Sequence, residues 1–384
     1  KNFMKFIFIL WTMLFPLLFA CDSIEKEQSS EKSLKITIKD SIVLKDVQAL
    51  AQQLPTEVLL NGYPFFTDEA IYYQYFLYGN VLKFDYEGKL LKTFGSVGDE
   101  TQQMTGSGLM IDESANNLLH FYDPMQQKVV SYQVEGIYEA SHYFMKDADT
   151  KDFFMHYQNL STVSNGFYID GRYYVASTGG EKVKERYRKG YFQSPLIQVF
   201  DRNFEWQTAF GNYDDAYLAD SEGTLSYLHI TQLAYNGKNL LLSMQGSSNI
   251  QVYDIDSKKL VQTISLPENI QKQLKTNYPY LNQLPADKKL SELYTQHTIF
   301  NNLIADKSGK LIVRSLAQPT QNPDLPFKQR KFQWIAYDGK GNCLGIFDMP
   351  PNCSVVCHID KAYIYFLSSY DEENAQRIIY RYTY

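Results

Sequence analysis

The sequence has no excess of positive charge. Its 37 lysine and arginine residues are outnumbered by 43 acidic residues, which leaves a formal net charge of −6 at pH 7. A protein that holds nucleic acid neutralises phosphates with a surplus of basic side chains. The composition therefore argues against nucleic acid as a partner.

Motifs of the common enzyme classes are also missing. The sequence contains no nucleophile elbow, P-loop or dinucleotide-binding fingerprint at a strand-to-helix position, and no sialidase-type aspartate box. The tandem glycines Gly179 and Gly180 predict only a loop. No catalytic residue is assigned from the sequence, no cofactor is predicted, and the favoured hypothesis is a protein that is not an enzyme.

Aromatic residues are abundant, whereas glycine and proline are not. The chain has 31 Tyr and 24 Phe, against 21 Gly and 13 Pro. Aromatic side chains suit the pleated, half-buried surface of a β-sheet. With 44% hydrophobic residues the chain can bury a sizeable core, which excludes disorder. The composition favours an all-β protein.

The first twenty residues have the proportions of a signal peptide. Lys1 and Lys5 precede an uncharged apolar run at residues 6–19, which is shorter than the roughly 20 residues of a membrane span. The run ends in Leu18-Phe19-Ala20-Cys21, which resembles the lipobox of bacterial lipoproteins. That resemblance implies a lipid on Cys21 and anchorage to a membrane. The alternative is an ordinary secretory signal with a chance cysteine. Residues 21–33 are charged and predict a flexible tether.

A two-hairpin unit recurs six times along residues 34–384. In each unit an apolar strand ends in Asp or Asn, turns and returns, and a second hairpin carries an aromatic residue near its turn. Asp-Gly at 170 and Asn-Gly at 236 are strong hairpin signals. Six such units predict a six-bladed β-propeller. The first turn of each unit lies at Asp68, Asp112, Asp170, Asn236, Asp306 and Asp360.

The sixth unit lacks its last strand, because the sequence ends at Tyr384 after the third. The alternating segment 35–45 is predicted to supply the missing strand and to close the ring. The resulting prediction is an all-β, six-bladed β-propeller closed by an N-terminal strand and preceded by a lipoprotein signal peptide. The predicted signal peptide is residues 1–20, the tether is residues 21–33 and the propeller is residues 34–384.

These features resemble the TolB-like six-bladed propeller lipoproteins of the Bacteroidota. The resemblance rests on the lipobox, on the six Asp or Asn turns and on the glycine-bearing segment 91–100 at the end of the first unit. It implies a propeller fold and a lipid-anchored location in the bacterial cell envelope, at the outer membrane. It implies little chemistry.

Long connections are predicted on one face of the propeller. With the strands of a blade labelled A to D from the centre outwards, B–C loops and D-to-A crossovers share a face, called here the crossover face. Scaffolds carry function on such loops, so this face is the candidate binding surface for a glycan, peptide or protein. Neutral tolerance of insertions is the alternative. The long segments are 136–163, 178–193, 211–226, 267–298 and 317–331.

Two of these loops combine basic and aromatic residues in an otherwise acidic chain. Charge-assisted hydrogen bonds and ring stacking suit anionic or sugar ligands. The alternative is a solvated, charged loop. The predicted ligand-binding residues are Arg186, Tyr187, Arg188 and Tyr191 in one loop, and Lys328 and Arg330 in the other.

His229 and His297 each precede an A strand, in adjacent blades. Together with His156 they could hold a divalent metal at the mouth of the central channel. A metal-dependent propeller hydrolase or lyase is therefore the alternative function, although chance placement explains the histidines equally simply. Cys343, Cys353 and Cys357 are interpreted as structural residues, and a helix is predicted near Pro285.

Overall fold

A computed structural model describes most of the chain beyond residue 33. The compact unit is Leu34–Tyr384. The predicted signal peptide, tether and Cys21 lie outside the described residues, as does the helix predicted near Pro285. Those described are 34–44, 62–74, 79–96, 98, 100–104, 109–123, 126, 128–143, 166–177, 192, 195–219, 225, 228, 230–274, 295, 297–320, 330–369, 371 and 376–384.

The described residues form six antiparallel sheets of four strands, which confirms the prediction of an all-β, six-bladed propeller. Strand β1 (Thr37–Leu44) belongs to the last sheet. Blade 1 contains β2 (Tyr63–Phe66), β3 (Ile71–Gln74), β4 (Val81–Phe84) and β5 (Leu90–Phe94). Blade 2 contains β6 (Leu109–Glu113), β7 (Leu118–Asp123), β8 (Lys128–Gln133) and β9 (Tyr138–Tyr143). Blade 3 contains β10 (Gly166–Ile169), β11 (Arg172–Ala176), β12 (Ile197–Phe200) and β13 (Trp206–Phe210).

The remaining blades follow the same order. Blade 4 contains β14 (Thr231–Tyr235), β15 (Asn239–Met244), β16 (Ile250–Asp254) and β17 (Leu260–Ile264). Blade 5 contains β18 (Ile299–Ala305), β19 (Leu311–Ala317), β20 (Phe332–Asp338) and β21 (Cys343–Asp348). Blade 6 contains β22 (Cys353–Ile359), β23 (Tyr363–Ser368) and β24 (Arg377–Thr383), with β1 beside β24.

Helix is scarce. Two short α-helices, α1 (Asp215–Ala219) and α2 (Glu268–Leu274), lie in crossovers, and a 3₁₀ turn (Ser114–Asn116) follows β6. Among the described residues, no helix has the length and apolar character needed to span a bilayer. One sequence prediction needs correction: the long segment after blade 2 was expected to begin at residue 136. Strand β9 occupies Tyr138–Tyr143, so the connection begins after it.

Strand β1 pairs antiparallel with β24, from Thr37 opposite Thr383 to Leu44 opposite Arg377. The pairing is reinforced by a two-pronged ion pair between Asp40 and Arg381. Nε of the arginine lies 2.5 Å from Oδ1 of the aspartate, and a second guanidinium nitrogen lies 2.6 Å from Oδ2. Two parallel N–H···O bonds fix geometry as well as adding energy.

The core consists of the seams between neighbouring blades. Among the described residues there are six apolar clusters, and each joins one blade to the next. Each inner strand has a neighbouring blade packed on both of its faces, so its side chains are buried on both sides. The seam between blades 6 and 1 includes Ile42 and Leu44 of β1. Each such side chain contributes about 1.5–3 kcal/mol when fully buried.

Five of the six predicted turn residues occupy A–B turns; Asp112 instead lies within β6, paired with Leu119, and the turn follows it at residues 114–117. Asn236 Oδ1 accepts the backbone N–H groups of Lys238 and Asn239. Asp360 Oδ1 accepts those of Ala362 and Tyr363 at 2.7 and 2.8 Å. A short side-chain acceptor thus replaces backbone hydrogen bonds lost at the turn, which explains why Asp and Asn recur there.

Candidate functional site

The antiparallel order of each sheet puts the B–C loops and the crossovers on one face, as predicted. The described residues of this face are most numerous between blades 3 and 5. They include the B–C loop of blade 4 (residues 245–249), helix α1 and the residues that lead into β18. These residues form the base from which the longer connections arise.

Of the predicted site residues, the structure describes Arg330 and His297. Arg330 is only 6% exposed and His297 only 3% exposed, so both belong to the packed base of the crossover face. The remaining predicted residues lie outside the described part of the chain: Cys21, Arg186, Tyr187, Arg188, Tyr191, Lys328 and His229.

Sequence reasoning missed a fully buried cation near this face. Arg314 on β19 has an exposure of 0%. One guanidinium nitrogen donates to the carbonyl oxygens of Met244 at 2.8 Å and Ser247 at 2.6 Å, and the ring of Phe300 lies 3.7 Å from the guanidinium carbon. Arg314 therefore fastens the B–C loop of blade 4 to blade 5. An arginine in the middle of an apolar strand was the available signal.

The same loop is fastened from the other side by helix α1. Asp214 caps the helix with its carbonyl oxygen, which accepts the N–H of Tyr217 at 3.1 Å, and its carboxylate accepts the Ser247 hydroxyl. The Tyr217 hydroxyl accepts the N–H of Gly246 at 2.9 Å and donates to the carbonyl of Leu228 at 2.5 Å. Fixed partners on both sides hold residues 245–249 in one conformation.

Gln245 lies where two A strands begin. Its backbone N–H donates to Ile230 at 3.0 Å, just before β14, and its carbonyl accepts the N–H of Phe300 on β18 at 3.0 Å. Gln232 on β14 reaches the same place, because its side-chain amide donates to the carbonyl of Phe300 at 2.9 Å. A strands line the central channel, so Gln245 lies at the channel mouth on the crossover face.

A second polar cluster lies on the opposite, turn-bearing face, in the seam between blades 2 and 3. Nε2 of His120 is 2.7 Å from Oε2 of Glu113, and Nδ1 of His120 is 2.8 Å from the Ser131 hydroxyl. The Tyr173 hydroxyl donates to the same carboxylate oxygen at 2.6 Å, and Asn116 donates to the other at 2.9 Å. We call Glu113, His120, Ser131 and Tyr173 the seam cluster.

Burial alone would raise the pKa of Glu113. The hydrogen bonds from His120, Tyr173 and Asn116 outweigh it and lower the pKa to about 2. Phe204 covers the cluster: its ring stacks on Tyr173 with centroids 4.2 Å apart and meets His120 edge-on at 5.3 Å. The carboxylate is thus kept ionised inside an aromatic enclosure.

The seam cluster contains the residue types of a Ser-His-acid relay, but its geometry favours a structural role. Ser131, His120, Glu113 and Tyr173 are all buried, so the hydroxyl is closed to a substrate. The cluster instead joins β6, β7 and β8 of blade 2 to β11 of blade 3. His120 and Ser131 face each other on neighbouring strands, a pairing that sequence spacing alone did not reveal.

The three described cysteines are free thiols. Burial raises the pKa of Cys353 to about 12 and raises that of Cys357 well above its usual range. His358 stacks on Phe66 with centroids 4.6 Å apart, and burial lowers its pKa to about 4. No group of three or more His, Cys, Asp or Glu side chains in the described part of the chain has the arrangement of a metal site.

Comparison with known proteins finds similar structures but no relative by sequence. No known family matches the sequence, and no curated protein matches it. The structure is similar to that of a DUF4221-family protein from Bacteroides vulgatus, with a TM-score of 0.62, 11% identity, and coverage of 92% of this chain and 99% of the other. It is also similar to a protein described as exported from Bacteroides fragilis, with a TM-score of 0.54, 10% identity, and coverage of 90% and 94%. At this identity the likeness shows the six-bladed propeller fold alone.

Proposed function

We propose that this protein is a lipid-anchored propeller of the bacterial cell envelope that acts as a non-catalytic binding scaffold. The crossover face would present its long connections to a glycan, peptide or protein. The observation that carries the proposal is the rigid base beneath those connections, where Arg314, Asp214 and Tyr217 hold the B–C loop of blade 4. A pre-organised base lowers the entropic cost of binding.

Charge supports an anionic or sugar ligand. Residues 181–192 hold five basic side chains against two acidic ones, in a chain with an overall charge of −6. Arg186 and Arg188 would contact the ligand together with Lys328, while Tyr187 and Tyr191 would stack on sugar rings. The test is a binding screen of the detergent-solubilised full chain against neutral and acidic oligosaccharides, with envelope peptides as the second panel. If the protein binds neither the oligosaccharides nor the peptides, the proposal is contradicted.

Anchorage through Cys21 is the second part of the proposal, with the outer membrane as the location. Support comes from the lipobox and from the exported Bacteroides fragilis neighbour. Replacing Cys21 with Ser should abolish lipid labelling and release the protein from membranes, while its thermal unfolding stays unchanged. Lipid labelling that persists in the variant would contradict anchorage at this residue.

Ring closure by β1 belongs to the same proposal. The pairing of β1 with β24 and the presence of Ile42 and Leu44 in the seam with blade 1 support it. A closed ring leaves no unpaired inner edge and keeps the crossover loops at fixed spacing.

A metal-dependent hydrolase or lyase with its site at the channel mouth remains the second candidate function. His297 favours it, because this imidazole lies buried two residues before β18 and beside the channel mouth. Metal analysis of the dialysed full chain discriminates the metal-dependent enzyme from the binding scaffold. Stoichiometric zinc or calcium that disappears in a His297→Ala variant would favour the enzyme, and a metal-free protein that still binds its ligand would favour the scaffold.

A further inference from the structure

The six outer strands repeat one pattern, which makes a departure from it visible. Each carries a one-residue bulge near its start, and the bulge fixes which residues of the six strands are equivalent. The position paired three residues beyond the bulge, on the inner side of the ladder, is apolar in five blades and histidine in blade 2. Its occupants are Phe94, His142, Phe210, Ile264, Phe347 and, in β1, Ile42.

The C–D turn of blade 3 departs from the repeat as well. Its left-handed position is glycine in blades 1, 2 and 5 and lysine in blade 4, whereas blade 3 has Phe204. The glycine turns pack closely on the preceding blade: a Cβ added to Gly136 would come within 2.6 Å of the ring of Phe94. In blade 3 the ring of Phe204 takes this place, and it lies against His142. Two mating positions of one seam therefore break the repeat together, as residues at functional sites do.

Phe204 holds the two blades together through its ring. The ring is 6% exposed, and its centroid lies 5.1 Å from that of His142 on β9 and 4.2 Å from that of Tyr173 on β11. His120 meets the same ring edge-on at 5.3 Å. The left-handed backbone at Phe204 costs about 1–2 kcal/mol, so the turn keeps this conformation against its own preference while the ring is packed.

His142 is the titratable member of this contact. Burial and the neighbouring His120 lower the pKa of His142, because the enclosed imidazole loses solvation when charged and is repelled by a charge on His120. The Glu113 carboxylate is engaged by His120 and Tyr173. The other charged or titratable groups on the elements packed around His142 are Lys128 on β8, Tyr168 on β10, and Arg202 and Glu205 in the C–D turn of blade 3.

We propose that the seam between blades 2 and 3 is an acid-sensitive joint, in which a proton on His142 releases the ring of Phe204 and loosens the C–D turn of blade 3 from β9. At neutral pH the imidazole is uncharged and packs on the ring. This contribution to the packed state is present above about pH 6.5 and is lost as the pH falls below that value. Strand β9 leads into the connection between blades 2 and 3, so the joint lies at the root of one connection of the crossover face.

The test is hydrogen–deuterium exchange of the detergent-solubilised full chain at pH 7.5 and 5.5, corrected for the pH dependence of intrinsic exchange. Protection of the amides in 138–143 and 201–205 should fall about three- to tenfold at pH 5.5, because a released imidazole of ordinary pKa is protonated there. The equivalent segments of blade 4, 254–259 and 260–264, are the internal control and should keep their protection.

Two variants assign the response to His142. His142→Phe introduces the residue found at the equivalent position of blade 1, and His142→Gln is a smaller uncharged variant that carries the same test if the larger ring does not fit. Protection of β9 should then be the same at both pH values. His358→Phe is the matched control, since His358 also stacks on an aromatic ring, that of Phe66 in the seam between blades 6 and 1. It should leave the pH response of β9 intact.

Three results would overturn the joint. One is equal protection of β9 and of the blade 3 turn at both pH values in the parent. Another is a pH response that persists in both His142 variants, which would assign it to a different group. The third is an equal fall of protection in the blade 4 segments, which would show general loosening of the propeller at acid pH.

Discussion

Nζ of Lys307 lies 3.8 Å from Oδ2 of Asp112, and the two residues belong to blades 5 and 2, which face each other across the ring. Such a pair can form only across the central channel, at the end that carries the A–B turns. A largely exposed ion pair adds little stability, at most about 1 kcal/mol. The pair places the charged Lys307 side chain across that end of the channel, and it supports the proposal that a ligand approaches from the crossover face.

Arg314 should be among the most sensitive residues in the molecule. Replacing it with Met keeps the apolar stem but removes the guanidinium donor from the carbonyls of Met244 and Ser247, of which Met244 still accepts the N–H of Ser247 at 3.1 Å. We expect a loss of about 1–3 kcal/mol in the free energy of unfolding, because the Ser247 carbonyl loses this donor and an unsatisfied buried carbonyl costs about that much. Urea denaturation measures it. Arg202→Met, at an exposed arginine, serves as the control and should change stability by less than about 0.5 kcal/mol.

The seam cluster should make stability depend on pH in the acid range. The pKa of Glu113 is about 2 in the fold, against about 4.3 for an unperturbed glutamate. A lowered pKa means that the ionised group stabilises the fold above about pH 4.3, and that this contribution is lost as the pH falls towards 2.

Glu113→Gln should therefore melt at a lower temperature than the parent at neutral pH and lose less stability between pH 4.5 and 2, in this same window. Thermal melts across that range provide the measurement. Glu205→Gln, at an exposed position, is the matched control. If the melting temperatures of the parent and of the Glu113 variant fall in parallel with pH, the ionised carboxylate contributes nothing to stability.

Two C–D turns place a large residue in the left-handed conformation where other blades use glycine. Lys258 has φ of 56° and Phe204 has φ of 60°. This conformation costs an L-residue about 1–2 kcal/mol. Lys258→Gly should raise stability by up to about 1 kcal/mol. Phe204→Gly should instead lower it by about 3 kcal/mol, because the ring that stacks on Tyr173 is lost. Equal shifts of the urea midpoint in the two variants would contradict this account.

The N-terminal strand should matter for more than tethering. Deletion of residues 34–46 would expose the edge of β24 and remove Ile42 and Leu44 from the seam with blade 1, so aggregation is expected. Ile42→Ala is the milder variant and should cost about 2–5 kcal/mol. A deletion variant that melts like the parent would show that the ring does not depend on this strand.

The fold was predictable because its signals are local and repeated. Asp or Asn in five A–B turns and close before the sixth, with an aromatic residue before five C–D turns, specifies hairpins by short-range chemistry, and six repeats specify the ring. The sites were less predictable because their parts meet only in the fold. His120 is paired with Glu113 across a turn and with Tyr173 across a blade seam. Arg314 and the carbonyl of Ser247 that it holds are 67 residues apart in the sequence, and no motif links them.

The central claim is that the crossover face binds the ligand, and one affinity comparison tests it most directly. The full chain is titrated with the tightest-binding oligosaccharide of the panel, at low and physiological salt. A triple variant with Ser at Arg186, Arg188 and Lys328 is compared with a triple variant at Lys89, Lys258 and Lys340, which lie in C–D turns on the opposite face. We predict that the first variant binds at least about tenfold more weakly with a flatter salt dependence, since screened surface charges are lost, and that the second binds as the parent does. Equal loss in both variants, or loss in neither, would contradict the account.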